Sequence, residues 1–163
     1  MYLLYNNKSI IYILLLSVII FVLQVNFPVI YVYDEFYLYF DFALIFLTIL
    51  CYKIDAYKVI ILSFFFGLGQ DLIISIDHLG LLSFLKCLVI FLFSFINKYR
   101  FIWKREFKFL IIFLLFFIHF FFYYLIVSHN SYYFIFIISL CQSFICYFVF
   151  HVINIFFYKL NLV

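Results

Sequence analysis

Six long apolar runs decide what this chain can fold into. They cover residues 9–27, 36–52, 59–76, 79–96, 109–127 and 132–158. An α-helix needs about 20 consecutive apolar residues to cross the hydrocarbon core of a bilayer. Charged residues make up only 10% of the chain, so too few polar side chains remain to cover a water-soluble core. The sequence therefore predicts an all-α integral membrane protein, a bundle of six transmembrane helices in a single domain over residues 1–163.

The positive charges of the connections predict the orientation of these spans, because Lys and Arg mark cytoplasmic loops. Basic segments alternate with segments that have no Lys or Arg, which lie around Asp34, around Asp77 and at 128–131. Both terminal tails are basic, so both termini are predicted to be cytoplasmic. The net charge of +3 then reflects topology, and the expected partner is the lipid bilayer rather than nucleic acid. The fourth connection is the most basic one and is called the basic loop; it contains Lys98, Arg100, Lys104, Arg105 and Lys108.

A stripe of small and polar residues runs along the third span. Ser63, Gly67, Gln70 and Asp71 follow one another at i, i+4, i+7 and i+8, which is one face of an α-helix. Ser63 and Gly67 form a small-xxx-small pair that lets a second helix approach closely. The chain has three glycines, all in this region: Gly67, Gly69 and Gly80. We expect a helix-packing seam here, either within the protein alone or with a binding partner.

Three charged residues, Asp41, Asp71 and Lys86, interrupt the apolar runs. A charge inside a span is costly and usually has a partner within the protein. At about 1.5 Å per residue, Asp71 and Lys86 lie at similar depth below the connection that joins their spans, so we predict a buried ion pair between them. The alternatives are a Lys86 that reaches the membrane surface or a ligand site. Asp41, also a candidate packing or partner-binding residue, is expected at the outer interface in contact with water.

The residue patterns of enzymes are not matched. Gly67 to Asp71 resembles the G-x-G-D motif of intramembrane aspartyl proteases, but one extra residue turns the carboxylate about 100° around the helix. The second aspartate that this chemistry needs would be Asp34, which falls in an outer connection. His119 and His151 are expected to be hydrogen-bonded packing residues, and the four cysteines small buried hydrophobes. The sequence predicts no catalytic residue, no metal, no cofactor and no enzymatic activity.

The segment GLGQDLIISIDHLGLLSFLKCLVIFLFSFINKYR, residues 67–100, resembles the central region of the MreD family of rod shape-determining membrane proteins. That family has a third span that ends in a Gly-rich stretch with Asp-Leu, and a Leu-Gly that opens the fourth span. The matching positions here are Gly67, Asp71, Leu72, Leu79 and Gly80. The family's Pro-Asp at the start of the second span is matched only by the acid, in Phe40-Asp41.

The resemblance implies a non-catalytic scaffold in the cytoplasmic (inner) membrane of a bacterium, within the machinery that elongates rod-shaped cells and builds the peptidoglycan side wall. The implied partners are an MreC-like protein, an MreB-like filament, and a RodA-like glycosyltransferase with its transpeptidase. The face with Gly67 and Asp71 is then a candidate contact with a partner helix. The basic loop would meet anionic lipid or a cytoplasmic partner, or act as a topology anchor alone.

A different class of protein is the main alternative. The substrate-binding membrane subunit of an energy-coupling-factor vitamin transporter is similarly small and usually has six spans. Such subunits commonly dock through Ala-xxx-Ala pairs on the first helix, whereas the first span here has only Ser9 and Ser17 as small residues. A ligand site would also need several convergent polar groups. Since short motifs match by chance, a membrane protein of unrelated role is a third possibility.

Overall fold

The computed structural model describes residues 7–27, 30–33, 36–38, 40–74, 76–99, 103–128 and 131–159. Within these ranges the chain forms six α-helices, one short antiparallel β-hairpin and one 3₁₀ turn. In chain order these are α1 (Asn7–Asn26), β1 (Ile30–Tyr33), β2 (Phe36–Leu38), α2 (Phe42–Leu50), α3 (Ala56–Ile74), the 3₁₀ turn (Ile76–His78), α4 (Leu81–Lys98), α5 (Arg105–Val127) and α6 (Tyr132–Lys159).

Four of these helices are long and apolar enough to cross a membrane. The segments that meet this condition are Ala56–Ile73, Leu81–Lys98, Glu106–Val127 and Tyr132–Phe156. A shorter apolar segment, Tyr12–Asn26, lies in α1. Four of the six predicted spans are thus confirmed as long apolar helices, since α3 to α6 each overlap one of them. Their outward faces are covered with large apolar side chains such as Phe65, Phe84 and Phe148, which suits contact with lipid.

The prediction of one long helix over the second span, 36–52, is wrong. Its first residues belong to β2, which pairs with β1 so that Ile30 faces Leu38 and Tyr31 faces Tyr37. The residues of this hairpin are mainly aromatic and β-branched, types that favour strands. The helix that follows has only nine residues, about 14 Å of length, and does not cross a hydrocarbon core of about 30 Å.

Helix α2 nevertheless forms the centre of the bundle. Seven of its nine residues are buried, from Ala43 to Leu50 with Ile49 partly exposed, and it contacts α1, α3, α4 and α6. The remaining helices pack mainly as neighbours in the chain, α3 on α4 and α5 on α6. The ends of a short helix leave backbone groups without a partner in the helix, so such a helix is placed best where protein surrounds it. The surrounding helices provide that cover.

Candidate functional site

Asp71 joins the end of α3 to the start of α4. Its carboxylate is fully buried and accepts backbone N–H groups from Gly80 (3.0 Å), Leu82 (3.1 Å) and Ser83 (3.3 Å). The hydroxyl of Ser83 also donates to it at 3.3 Å. The first N–H groups of a helix have no partner within the helix, and the positive end of the helix dipole favours a carboxylate. Gly80 occupies the N-cap position without a side chain that could cap, so Asp71 caps α4 from another helix.

The glycines allow this close contact. A Cβ atom on Gly67 would lie 2.2 Å from Ser83 Cα and 2.4 Å from Ser83 N, so only glycine lets the α3 and α4 backbones approach so closely. Gly80 has a φ of 93°, in the left-handed region that favours glycine. Gly69 faces α1 instead, where a Cβ would lie 2.6 Å from the Phe21 ring.

The predicted stripe on α3 therefore faces α4 within the same chain. Ser63 extends it, since its hydroxyl donates to Ile60 O at 2.7 Å and its oxygen lies 3.3 Å from Cys87 Sγ of α4. Because Ser83 fills the space beside Gly67, a partner helix has no access to that glycine. Gln70 is also buried, and neither atom of its amide bonds to a residue that the structure describes.

Lys86 pairs with Asp41, so the predicted ion pair between Lys86 and Asp71 is wrong. The Lys86 ammonium donates to Asp41 Oδ2, and both side chains are 0% exposed. The helical rise gives the depth of Lys86 and Asp71 in the bundle, but depth alone does not decide which carboxylate contacts Lys86. Asp71 is occupied by donors from the first turn of α4, which leaves the carboxylate of Asp41 for the ammonium.

The expectation that Asp41 contacts water is also wrong. Since the helix begins only at Phe42, Asp41 takes the N-cap position of α2, where its Oδ1 accepts the N–H of Leu44 at 2.9 Å. On α1, Gln24 supports the same turn: its amide donates to Phe40 O at 2.6 Å and accepts from Ala43 N at 3.2 Å. The glutamine near the end of the first apolar run was the sequence feature that could have pointed to this role.

His119 of α5 completes a buried charged cluster, defined as Asp41, Lys86 and His119. The His119 Nε2 atom lies 3.4 Å from Asp41 Oδ2, and the His119 side chain is 0% exposed. Neither ring nitrogen reaches hydrogen-bond geometry with a described residue, so His119 belongs to the cluster by its proximity to Asp41. The cluster ties the start of α2 to α4 and α5, because a buried charge is stable only beside an opposite one.

A second polar contact lies between α5 and α6. The Tyr124 hydroxyl donates to Gln142 Oε1, and both side chains are buried. Ser139 and Ser143 are buried beside it and donate to carbonyls of their own helix. The spacing of Ser139, Gln142, Ser143 and Cys146 at i, i+3, i+4 and i+7 could have predicted this inward face.

These contacts describe a polar interior that positions helices. Among the described residues, no group of three or more His, Cys, Asp or Glu side chains suits a metal ion. Asp41 and Asp71 are each engaged by donors from the protein itself. The chemistry that the arrangement supplies is therefore charge pairing and helix capping across α2, α3, α4 and α5.

The end of α4, after which the basic loop begins, lies beside the turn that follows α2, because the Asn97 amide donates to Cys51 O at 2.9 Å. Lys98 and Lys104 are exposed and Lys108 is partly exposed. Arg100 lies outside the described residues, and so does the side chain of Arg105.

Comparison of the chain with models of protein families, with curated proteins and with solved structures gave no match in any of the three.

Replacing Lys86 by Met should destabilise the protein by about 3–5 kcal/mol, because it leaves the buried Asp41 carboxylate without its counter-charge. The double variant K86M/D41N should regain a large part of this loss, since asparagine removes the charge and keeps an oxygen for the Leu44 N–H. Unfolding of the purified protein in detergent measures both effects. Lys58→Met is the control, because Lys58 pairs with Asp55 at the surface. A double variant as unstable as K86M would contradict the pairing.

Gly67→Ala should cost more stability than Gly69→Ala. The new methyl group meets the rigid backbone of Ser83 at position 67 and the movable ring of Phe21 at position 69. Overpacking of a fixed contact costs about 1–3 kcal/mol, whereas a ring can shift and alanine is otherwise the better helix former. The same unfolding measurement compares the two, and equal losses would show that the α3–α4 contact is not the tight one.

Proposed function

We propose that this chain is a non-catalytic scaffold in the cytoplasmic membrane of a bacterium, similar to MreD, within the complex that elongates the cell and builds the peptidoglycan side wall. Its partners are then an MreC-like protein, an MreB-like filament, and a RodA-like glycosyltransferase with its transpeptidase.

The main support for this proposal is that the residues of the MreD-like motif act together in joining α3 to α4. Gly67 lets α3 approach α4 closely, and Asp71 caps α4. Gly80 supplies the left-handed residue just before α4 begins. These are three of the positions on which the MreD resemblance rests. These roles are structural and involve no substrate. A motif that only holds helices together suits a scaffold.

The proposed topology has six crossings with both termini in the cytoplasm. In it, α1 makes the first crossing, and β2 together with α2, which alone is too short, makes the second. The contact between Asn97 and Cys51 supports this arrangement, because it brings two connections that are both basic, after α2 and after α4, to one end of the bundle. Positive connections that share an end agree with the rule for cytoplasmic loops.

Reporter fusions test this topology. A fusion after Lys53 and one after Tyr99 should report the cytoplasm, and a fusion after Asp77 should report the opposite side. A fusion after Val127 should report the same side as Asp77. If Asp77 and Tyr99 report one side, the proposed crossings are excluded and the scaffold proposal loses its membrane arrangement.

A vitamin-transporter subunit is the second candidate, and one observation favours it. The interior brings several polar side chains together, including Asp41, Lys86 and His119, which the sequence alone did not suggest. However, Ser17 of α1 is buried and the outward face of α1 carries large residues such as Leu15 and Ile19, which does not suit docking through small residues. Neighbouring genes discriminate the two: a wall-elongation cluster or a vitamin-uptake cluster.

Crosslinking from α3 in native membranes tests the scaffold directly. Phe65 and Leu72 point outward, 64% and 59% exposed, whereas Phe66 is 5% exposed. A photoreactive residue at position 65 or 72 should capture an MreC-like or RodA-like protein, and the same residue at position 66 should react only within the chain. Capture of a transporter ATPase assembly, or of no elongation protein from any outward position, would contradict the proposal.

A further inference from the structure

One end of the bundle collects positive charge from two separate connections. The bond from Asn97 to Cys51 O and the contact of the Tyr52 and Phe93 rings, 5.4 Å between centroids, hold the turn after α2 beside the end of α4. Lysines of both connections therefore lie at the same end. We call it the basic end; its described lysines are Lys53, Lys58, Lys98, Lys104 and Lys108.

The chain's own acids offset only part of this charge. Lys58 pairs with Asp55 at 2.9 Å. Among the residues that the structure describes, no carboxylate lies within ion-pair distance of Lys98, Lys104 or Lys108. Glu106 is exposed in the first turn of α5, and among the described residues it forms no ion pair with these lysines, so three ammonium groups at this end are available for anions from outside the chain.

A pair of stacked aromatic rings lies near two of these lysines in the chain. Trp103 stacks on Phe107 with 4.8 Å between centroids and an angle of 2°, and Trp103 is partly buried. Tryptophan collects at the interface between hydrocarbon and water. Lys104 is the N-cap residue of α5 and Lys108 lies in its first turn, and the Lys108 N–H donates to Lys104 O at 3.1 Å, so both lysines lie at the start of the helix, near Phe107 in the chain.

We propose that the basic end binds the headgroups of anionic phospholipids, with Lys104 and Lys108 beside the Trp103–Phe107 stack as its main contacts. A lysine near an anionic membrane surface strengthens binding about fivefold. Two such lysines beside one interfacial ring pair select anionic over zwitterionic lipid at this place. The inference does not depend on the proposed scaffold function.

The single tryptophan of the chain makes this measurable. The full chain is reconstituted into vesicles of dioleoylphosphatidylcholine that contain either brominated phosphatidylglycerol or brominated phosphatidylcholine, and the quenching of Trp103 fluorescence gives the relative affinity of the two lipids. The expected preference for phosphatidylglycerol is on the order of tenfold. The variant K104Q/K108Q should fall to within about twofold of parity, while K58Q, whose charge Asp55 offsets, should keep the preference.

Salt provides a second readout. Raising the ionic strength from 0.1 M to 1 M shortens the screening length from about 10 Å to about 3 Å, so the preference of the unchanged chain should decline and that of K104Q/K108Q should stay near parity. Equal quenching by both lipids in the unchanged chain would overturn the proposal. A loss of preference in K58Q as large as in K104Q/K108Q would overturn the assignment to these two lysines.

Discussion

The ammonium of Lys86 is the constraint on which the centre of this structure depends. It is fully buried in a bundle whose surroundings are apolar, and a charge in such a place is stable only with an opposite charge in contact. Asp41 supplies that charge, and because Asp41 is also the N-cap of α2, the helix must begin beside Lys86. The start of α2 is thus tied to this contact, and Gln24 of α1 supports the same turn through Phe40 O and Ala43 N.

Asp71 shows how a similar carboxylate takes a different task. Ser83, which Asp71 contacts, lies only about one turn of α4 before Lys86. The partners of Asp71 are nevertheless backbone N–H groups and the Ser83 hydroxyl. The cause is the close approach of α3 and α4 at Gly67, which brings the unpaired N–H groups of α4 within reach. The donors that surround each carboxylate, rather than its position in the sequence, thus decide which one caps a helix and which one neutralises Lys86.

The long helices could be predicted from the sequence because the length of an apolar run fixes whether it can cross a bilayer. The face of α3 that meets α4 could be predicted too, since the spacing of Ser63, Gly67 and Asp71 selects one side of a helix. The hairpin and the short α2 could not, because a continuous apolar run such as 36–52 has no period that separates a strand from a buried helix. The partner of Lys86 and the contact of Tyr124 with Gln142 depend on how helices are rotated against one another, and the sequence of one span does not contain that information.

The contrast between a polar interior and an apolar exterior bears on how such a chain could act as a scaffold. Within lipid, burial of apolar surface does not draw helices together, so packing of small residues and polar contacts must fix their order. Here the polar contacts lie inside: Lys86 with Asp41, Asp71 with α4, and Tyr124 with Gln142. Because they hold the helices in one register, they also fix which large apolar side chains face outward. A partner in the membrane would then contact only the outer apolar side chains, although the buried polar contacts determine how these side chains are arranged.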